Sequence, residues 1–285
     1  MTSNILDGRL VSDSILKEVS REVKALVKAK VLPKLVIILV GDSPASLSYI
    51  KQKRLASKKT GINCIQKVLD KNVTTEDLIS IIEKLNKDKT VHGILVQLPL
   101  PEHVNANIVI RAIDPMKDVD GFQAYNLGKM FLSAKFECLS PCTPRGIIKM
   151  LEYYKVGIAG KSVTIVGRSN IVGKPLAIML MNRDATVTVC HSKTAHIEDY
   201  TRDADIVVAA AGRPKMITAD MVKKGAIVID VGTTKVDNKL TGDVDFEKVS
   251  KKASLITPVP GGVGPMTVAC LMENVVRAAK RLTPK

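Results

Sequence analysis

The sequence predicts an α/β protein of two domains, the second a Rossmann-like parallel sheet, and three observations carry that expectation. Over residues 34–97, β-branched and aliphatic runs alternate with helix-compatible stretches, the order of a parallel α/β domain. Over residues 161–175 the chain reads as a strand, a glycine turn and a helix start. At 285 residues it is long enough for two domains or one large one, and easily long enough to bury a core.

Taken in order, Ile15, Leu16, Val19, Val23, Leu26 and Val27 recur at helical spacing within residues 14–30. Ser12 or Asp13 offers a cap, and Pro33 closes the connection. Residues 34–40 then read as a buried strand, ended by the turn residues Gly41-Asp42-Ser43-Pro44. A helix over 45–59, a strand over 64–69, a helix capped by Thr74 or Thr75 and running through Leu85, and a strand over 91–97 complete the alternation. Tyr49 and Lys53 fall at i and i+4 and so share a helix face, which a solvated surface pair would also explain. Gln97 ends a buried strand, where parallel α/β folds place their ligands. Another helical stretch leads to Lys117-Asp118-Val119-Asp120-Gly121, a loop with turn chemistry.

Residues 141–144 mark the crossing into the second domain, and a helix over 146–154 leads to its central stretch. Ser162-Val163-Thr164-Ile165-Val166 is a buried parallel strand running into Gly167-Arg168-Ser169, and Gly173 precedes the helical run 175–180. Glycine lets backbone approach phosphate, and the free N–H groups of the first helical turn point at it. The two glycines stand six residues apart, which departs from G-x-G-x-x-G, so an ordinary βα turn is the alternative. The next strand, 185–190, ends in His191-Ser192-Lys193-Thr194. An NAD site places a carboxylate near that strand end for the ribose 2′-hydroxyl, whereas His, Ser and Lys suit a 2′-phosphate, so the expected cofactor is NADP. Strands over 205–210, 226–230 and 254–257, a helix over 219–223 and a final helix over 267–281 follow.

Composition narrows the classes. The net charge of +15 suggests polyanions, but lysines are spread along the chain and aromatics make up 3%, which argues against a nucleic-acid surface. Dinucleotides and other small polyanions suit such a surface, and a solubilising lysine-rich exterior accounts for most of the charge. Five scattered cysteines and four histidines form no metal-ligand spacing, so no metal is expected and the thiols point to a reducing, cytoplasmic compartment. Neither a membrane span nor a secretory leader is visible.

Gly167-Arg168-Ser169-x-x-Val172-Gly173-x-Pro175 resembles the cofactor turn of the bifunctional methylenetetrahydrofolate dehydrogenase/cyclohydrolase family. So do Ile5-Leu6-Asp7-Gly8, Tyr49-x-x-x-Lys53, Val96-Gln97-Leu98-Pro99-Leu100-Pro101, Asp118-Val119-Asp120-Gly121-Phe122, Pro141-Cys142-Thr143-Pro144 and the block from Thr257 through Pro260-Gly261-Gly262-Val263-Gly264-Pro265-Met266-Thr267, in the family order. One departure is Thr234-Lys235, where the family often has Asn-Arg.

The resemblance implies a folate-binding catalytic domain of residues 1–120 plus 265–285 and an NADP-binding domain of 121–264. It implies NADP-dependent oxidation of 5,10-methylene-tetrahydrofolate and hydrolysis of the methenyl product to 10-formyl-tetrahydrofolate, in one-carbon metabolism and purine biosynthesis, by a homodimer. Lys53 would carry the proton traffic, Gln97 would orient its amine, Tyr49 would pack on the pterin, and Asp120 would bind the pterin edge. Val96, Leu98, Pro260, Gly261, Gly262 and Pro265 would line the substrate, and Gly167, Arg168, Ser169, Gly173, Ser192 and the Thr233 backbone would hold the cofactor. A chain retaining only one of the two activities, and a basic binding protein that has lost catalysis, are the other readings; the intact Tyr49, Lys53, Gln97 and Asp120 speak against the latter.

Overall fold

The computed structural model describes residues 4–237 and 239–283. In chain order the elements are α1 (Gly8–Lys28), β1 (Lys34–Val40), α2 (Pro44–Thr60), β2 (Asn63–Leu69), α3 (Thr75–Lys87), β3 (Gly93–Val96), α4 (Ala106–Ala112), α5 (Ala124–Met130) and α6 (Cys142–Tyr153). They continue with β4 (Ser162–Val166), α7 (Gly173–Met181), β5 (Thr186–Cys190), α8 (Ile197–Thr201), β6 (Ile206–Ala209), β7 (Ile227–Asp230), β8 (Thr234–Val236), β9 (Lys239–Thr241), α9 (Phe246–Val249), β10 (Leu255–Ile256) and α10 (Val263–Leu282). The chain forms two compact units: one of Asp13–Ser140 with Val268–Lys285, the other of Met1–Ser12 with Pro141–Thr267.

The first unit is built on a parallel sheet of order β2-β1-β3. The β1 run is apolar throughout because both faces are covered, with Leu35, Ile37 and Ile38 fully buried. Val36, Ile38, Ile94 and Val96 pack with Leu78 and Ile82 of α3 and with Val109 of α4. On β3, Gly93 leaves room for Val119 and Val275, and a Cβ there would lie 2.8 Å from Val119. Thr74 and Asp77 cap α3 reciprocally, which selects Thr74 from the two expected caps. Residues 138–140 are drawn into this unit by α10: Asn274 Nδ2 donates to the carbonyls of Val119 and Ser140 at 2.9 and 3.0 Å, and Arg277 donates to that of Cys138 at 3.1 Å. The division between compact units therefore falls at 140/141, beside the crossing read at residues 141–144, whereas the resemblance implied 120/121.

The loop from α4 to α5 is set by two buried charges. Lys117 Nζ donates to the carbonyls of Leu85, Asn86 and Asp88 at 2.9, 2.7 and 2.7 Å, satisfying the C-terminal end of α3 and its negative pole. Asp118 is 1% exposed and accepts from the backbone N–H groups of Gly121 and Gln123 and from Asn126 Nδ2, at 3.0, 2.8 and 2.9 Å. Burial nonetheless pushes its carboxyl up to about 6, against the lowering effect of these hydrogen bonds.

The second unit holds a five-stranded parallel sheet of order β10-β7-β6-β4-β5. Strand β4 has β5 on one side and β6 on the other, so the order reverses there and the crevice opens at its carboxyl end. The N-terminal residues belong here because they extend the edge beyond β10: Leu6 N–H donates to Ile256 O at 2.8 Å and Gly8 N–H to Gly261 O at 2.9 Å. Asp7 Oδ1 accepts from the N–H groups of Arg9 and Leu10 at 2.8 and 3.2 Å. Asp7 is thus the cap of α1, which starts at Gly8, ahead of the Ser12 or Asp13 cap expected from where the apolar stripe begins. Two further expectations change: residues 219–223 form only a 3₁₀ turn at Ala219–Met221, and an antiparallel β8–β9 hairpin follows β7.

Raising the folded pKa of Asp118 above its unfolded value means its stabilisation is present below about pH 4 and lost as pH rises through about 6. Urea unfolding of wild type and Asp118→Asn at about pH 7.5 and 4.5 should therefore show wild type gaining about 2 kcal/mol relative to the variant at the lower pH. An unchanged difference between the two proteins would show that Asp118 does not titrate in this range.

Candidate functional site

In the first unit, helix α2 and the end of β3 bring three of the expected residues together. Ser57 is buried one turn after Lys53, and its hydroxyl donates to the Lys53 carbonyl at 2.9 Å. Lys53 is 7% exposed, and its Nζ donates to Gln97 Oε1 at 2.9 Å. Gln97 follows β3 directly; its backbone N–H donates to Ile38 O at 2.9 Å, so the sheet fixes its position. Its Nε2 donates to the Leu98 carbonyl at 2.8 Å, which turns the amide oxygen toward the lysine. Among the described residues Lys53 forms no ion pair, so a buried ammonium faces a neutral amide. That arrangement costs desolvation energy that a hydrogen bond to an amide only partly offsets. Tyr49 lies one turn earlier on α2 and is exposed, Val96 is buried, and Leu98 is half-buried.

Asp120 is half-buried in the loop that Asp118 organises. Because Asp118 holds the N–H groups of Gly121 and Gln123, the backbone on the far side of Asp120 is fixed. The Asp118 charge also stands close enough to Asp120 for the two to repel. Sequence reading quoted Asp118 only as part of a motif and assigned it no role; the acidic spacing Asp118-x-Asp120 beside a glycine was the available signal.

The proline-glycine block belongs to the second unit and is packed backbone against backbone. Gly261 has φ +111° and Gly262 is buried, while Pro260 is exposed and Pro265 half-buried. A Cβ on Gly8 would sit 1.8 Å from Gly262 O, so this contact admits only glycine at position 8. The Thr143 and Thr267 hydroxyls share a hydrogen bond of 2.9 Å, and Gly146 packs on Met266, joining α6 to the same block.

At the carboxyl end of β4, Gly167 has φ +133° and its N–H donates to Cys190 O at 2.8 Å. A side chain there would strike Ala210 O at 2.1 Å, and one on Gly173 would strike Gly167 O at 2.0 Å. The six-residue spacing thus closes a turn whose two glycines touch. Ser169 Oγ accepts from the N–H groups of Val172 and Gly173 at 3.1 and 3.4 Å, so it folds the turn itself, while Arg168 is exposed. After β5, His191 N–H donates to Thr194 Oγ1 at 2.9 Å, and Lys193 N–H donates to His191 Nδ1 at 3.1 Å. This tight turn exposes Ser192 and Lys193 and presents no carboxylate, which fits a 2′-phosphate. Thr233 is exposed just beyond β7, and Thr234 and Lys235 begin β8, with Lys235 exposed and Thr234 Oγ1 donating to Gly212 O at 3.4 Å. No group of three or more His, Cys, Asp or Glu among the described residues is arranged to hold a metal ion.

Comparison with known proteins agrees with this geometry. Residues 6–120 match the tetrahydrofolate dehydrogenase/cyclohydrolase catalytic domain, and residues 141–283 match the NAD(P)-binding domain of the same family. The chain is 51% identical to the bifunctional protein FolD of Ligilactobacillus salivarius, over 99% of this chain and 98% of that protein. It is 49% identical to that of Bacillus subtilis, over 99% of each. Among solved structures, the FolD methylenetetrahydrofolate dehydrogenase/cyclohydrolase of Campylobacter jejuni superposes with a TM-score of 0.95 at 47% identity, over 97% of this chain and 98% of that one. The Trypanosoma brucei enzyme, complexed with NADP cofactor and an inhibitor, gives 0.93 at 40% identity over 96% of each chain. The paired domain matches, the glycine turn and the buried lysine share one conclusion: the chain belongs to the tetrahydrofolate dehydrogenase/cyclohydrolase family.

Proposed function

We infer that the protein oxidises 5,10-methylene-tetrahydrofolate to the 5,10-methenyl cation with NADP, and hydrolyses that cation to 10-formyl-tetrahydrofolate. The observation that carries this reading is the buried Lys53 amine held by Gln97, with a carboxylate-free dinucleotide turn in the same chain. NADP supplies a hydride acceptor. Gly167 and Gly173 keep the turn beside its phosphates bare of side chains, and Ser192 and Lys193 suit the 2′-phosphate. Arg168, being exposed, supplies positive charge nearby.

Hydride transfer needs little acid-base help; it needs the methylene carbon held in place, a positional effect. In the mechanism we propose, the Asp120 carboxylate accepts from the pterin's ring N–H and exocyclic amine, and the Tyr49 ring packs on the pterin. Val96, Leu98 and the backbone of Pro260, Gly261, Gly262 and Pro265 shape the remaining substrate surface. Hydrolysis asks for more. Water adds to the amidinium carbon and loses one proton, a ring nitrogen is protonated, and the adduct's hydroxyl proton leaves as that C–N bond breaks to give the formyl group. Lys53 is the proton carrier, and Gln97 keeps its amine oriented between transfers. The product is the formyl donor class that purine synthesis consumes. Five free cysteines suit the cytoplasm, where thiols stay reduced, and cell fractionation checks that location.

Lys53→Met keeps the stem of the side chain and removes the amine. Hydrolysis of methenyl-tetrahydrofolate by this variant should fall about 100-fold or more, the scale of a positioned acid-base group. The dehydrogenase rate should fall less, whereas Asp120→Asn should damage both activities together through substrate binding. Both rates on each folded variant decide it, and wild-type hydrolysis by Lys53→Met would end the assignment.

Homodimer formation through the dinucleotide domain is a further part of the reading and rests on family resemblance. Sedimentation should give twice the chain mass of 30.9 kDa at micromolar concentration, and a monomer mass throughout would reject it.

A further inference from the structure

Two acids are buried at the carboxyl ends of β6 and β7, and the mechanism above uses neither. Asp243, two residues after β9, is 0% exposed, and Asp230, the last residue of β7, is 3% exposed. Asp230 Oδ1 accepts from the N–H groups of Gly232 and Asp243 at 3.0 and 2.9 Å, and its Oδ2 accepts from that of Val244 at 3.0 Å. Asp243 Oδ2 accepts from the N–H groups of Ala211 and Gly212 at 2.7 and 2.8 Å. Its Oδ1 is buried and has no hydrogen-bond partner among the described residues. Neither acid forms an ion pair there, and burial together with the Asp243 charge pushes Asp230 up to about 6.

A buried carboxyl with one unsatisfied oxygen is an expensive way to fill space. What the arrangement achieves is a tie between two loops. Asp243 holds the segment after β6 by two adjacent N–H groups and fills the space beside Gly232 after β7, where a Cβ would lie 2.2 Å from Asp243 Oδ1. Gly242 in turn is pressed on Asp230, leaving 1.9 Å between an added Cβ and Oδ2. The β6 loop also bears on the glycine turn, since Gly167 packs against Ala210 O. In an open parallel sheet the strands on one side of the switch point receive one nucleotide and those on the other side receive the second. Here β4 and β5 carry the phosphate and 2′-phosphate turns, which leaves the β6 and β7 loops to the nicotinamide half.

We propose that Asp243 is a positioning residue for NADP: through the N–H groups of Ala211 and Gly212, and by abutting Gly232, it sets the loops that receive the nicotinamide nucleotide. This rests on the reading of the second unit as the NADP site. The acceptor at Oδ2 is the functional feature, so an amide that keeps that oxygen serves equally well.

The test compares Asp243→Ala, Asp243→Asn and Gly212→Ala, with NADP affinity measured by calorimetry without folate. Hydrolysis of methenyl-tetrahydrofolate, a step that needs no dinucleotide, is measured alongside. Asp243→Ala should weaken NADP at least about 10-fold and raise its KM more than it lowers kcat, with hydrolysis within about twofold of wild type. Asp243→Asn should stay within about threefold of wild type for NADP. Gly212 has φ +67° and open space around it, so Gly212→Ala strains only the loop backbone and should weaken NADP severalfold. Should Asp243→Ala fail to fold, the other two variants carry the test. Wild-type NADP affinity in Gly212→Ala or Asp243→Ala, an Asp243→Asn as weak as Asp243→Ala, or hydrolysis falling in step with NADP binding would each overturn the proposal. If wild type itself binds no NADP, the cofactor reading fails instead.

Discussion

The hydrogen bond from Lys53 Nζ to Gln97 Oε1 joins a helix to the end of a strand, and three contacts of the first unit hold its two ends. An ammonium resists burial, and a neutral amide compensates it less than a carboxylate would. Ser57 ties the Lys53 backbone one turn on, the β1–β3 pairing fixes Gln97, and the Leu98 carbonyl settles which way the amide points. A lysine whose only role was packing would gain from a carboxylate partner or from exposure. In the mechanism proposed above, the amide keeps the Lys53 amine in place without a carboxylate's charge beside it.

The second unit answers to a different constraint, the absence of space. Gly8 against Gly262, Gly146 against Met266, Gly167 against Ala210 and Gly173 against Gly167 are contacts in which a single methyl group would collide with its neighbour. Backbone this close leaves no side chain at the turns, and the N–H groups of Gly8, Gly167 and Gly173 are held by Gly261 O, Cys190 O and Ser169 Oγ. The same unit stores its polar cost in the Asp230 and Asp243 carboxyls, away from the exposed Ser192 and Lys193 turn. Both carboxyls accept from backbone N–H groups and stay buried.

Much of the architecture was legible because buried parallel strands announce themselves as aliphatic runs. The 34–40 and 162–166 strands lie where the pattern put them, and Tyr49 and Lys53 share α2. Helix starts were less legible: Val11 is already buried four residues before Ile15, but the exposed Leu10 beside it blurs the stripe near the Asp7 cap of α1. The β8–β9 hairpin escaped notice because its residues are mostly exposed and carry no apolar alternation. Asp118, Asp230 and Asp243 escaped for a deeper reason. Apart from Asn126 on Asp118, their partners are backbone N–H groups, some many residues away, and no side-chain pattern marks a backbone donor in advance.

The most direct measurement of the central claim is a double-mutant cycle on Lys53 and Gln97, read by the rate of methenyl-tetrahydrofolate hydrolysis. If Gln97 acts by orienting the Lys53 amine, Gln97→Met should slow hydrolysis, and the double variant with Lys53→Met should be no slower than Lys53→Met alone within about twofold. Losses that multiply in the double variant would show that the two side chains act independently and would contradict the account.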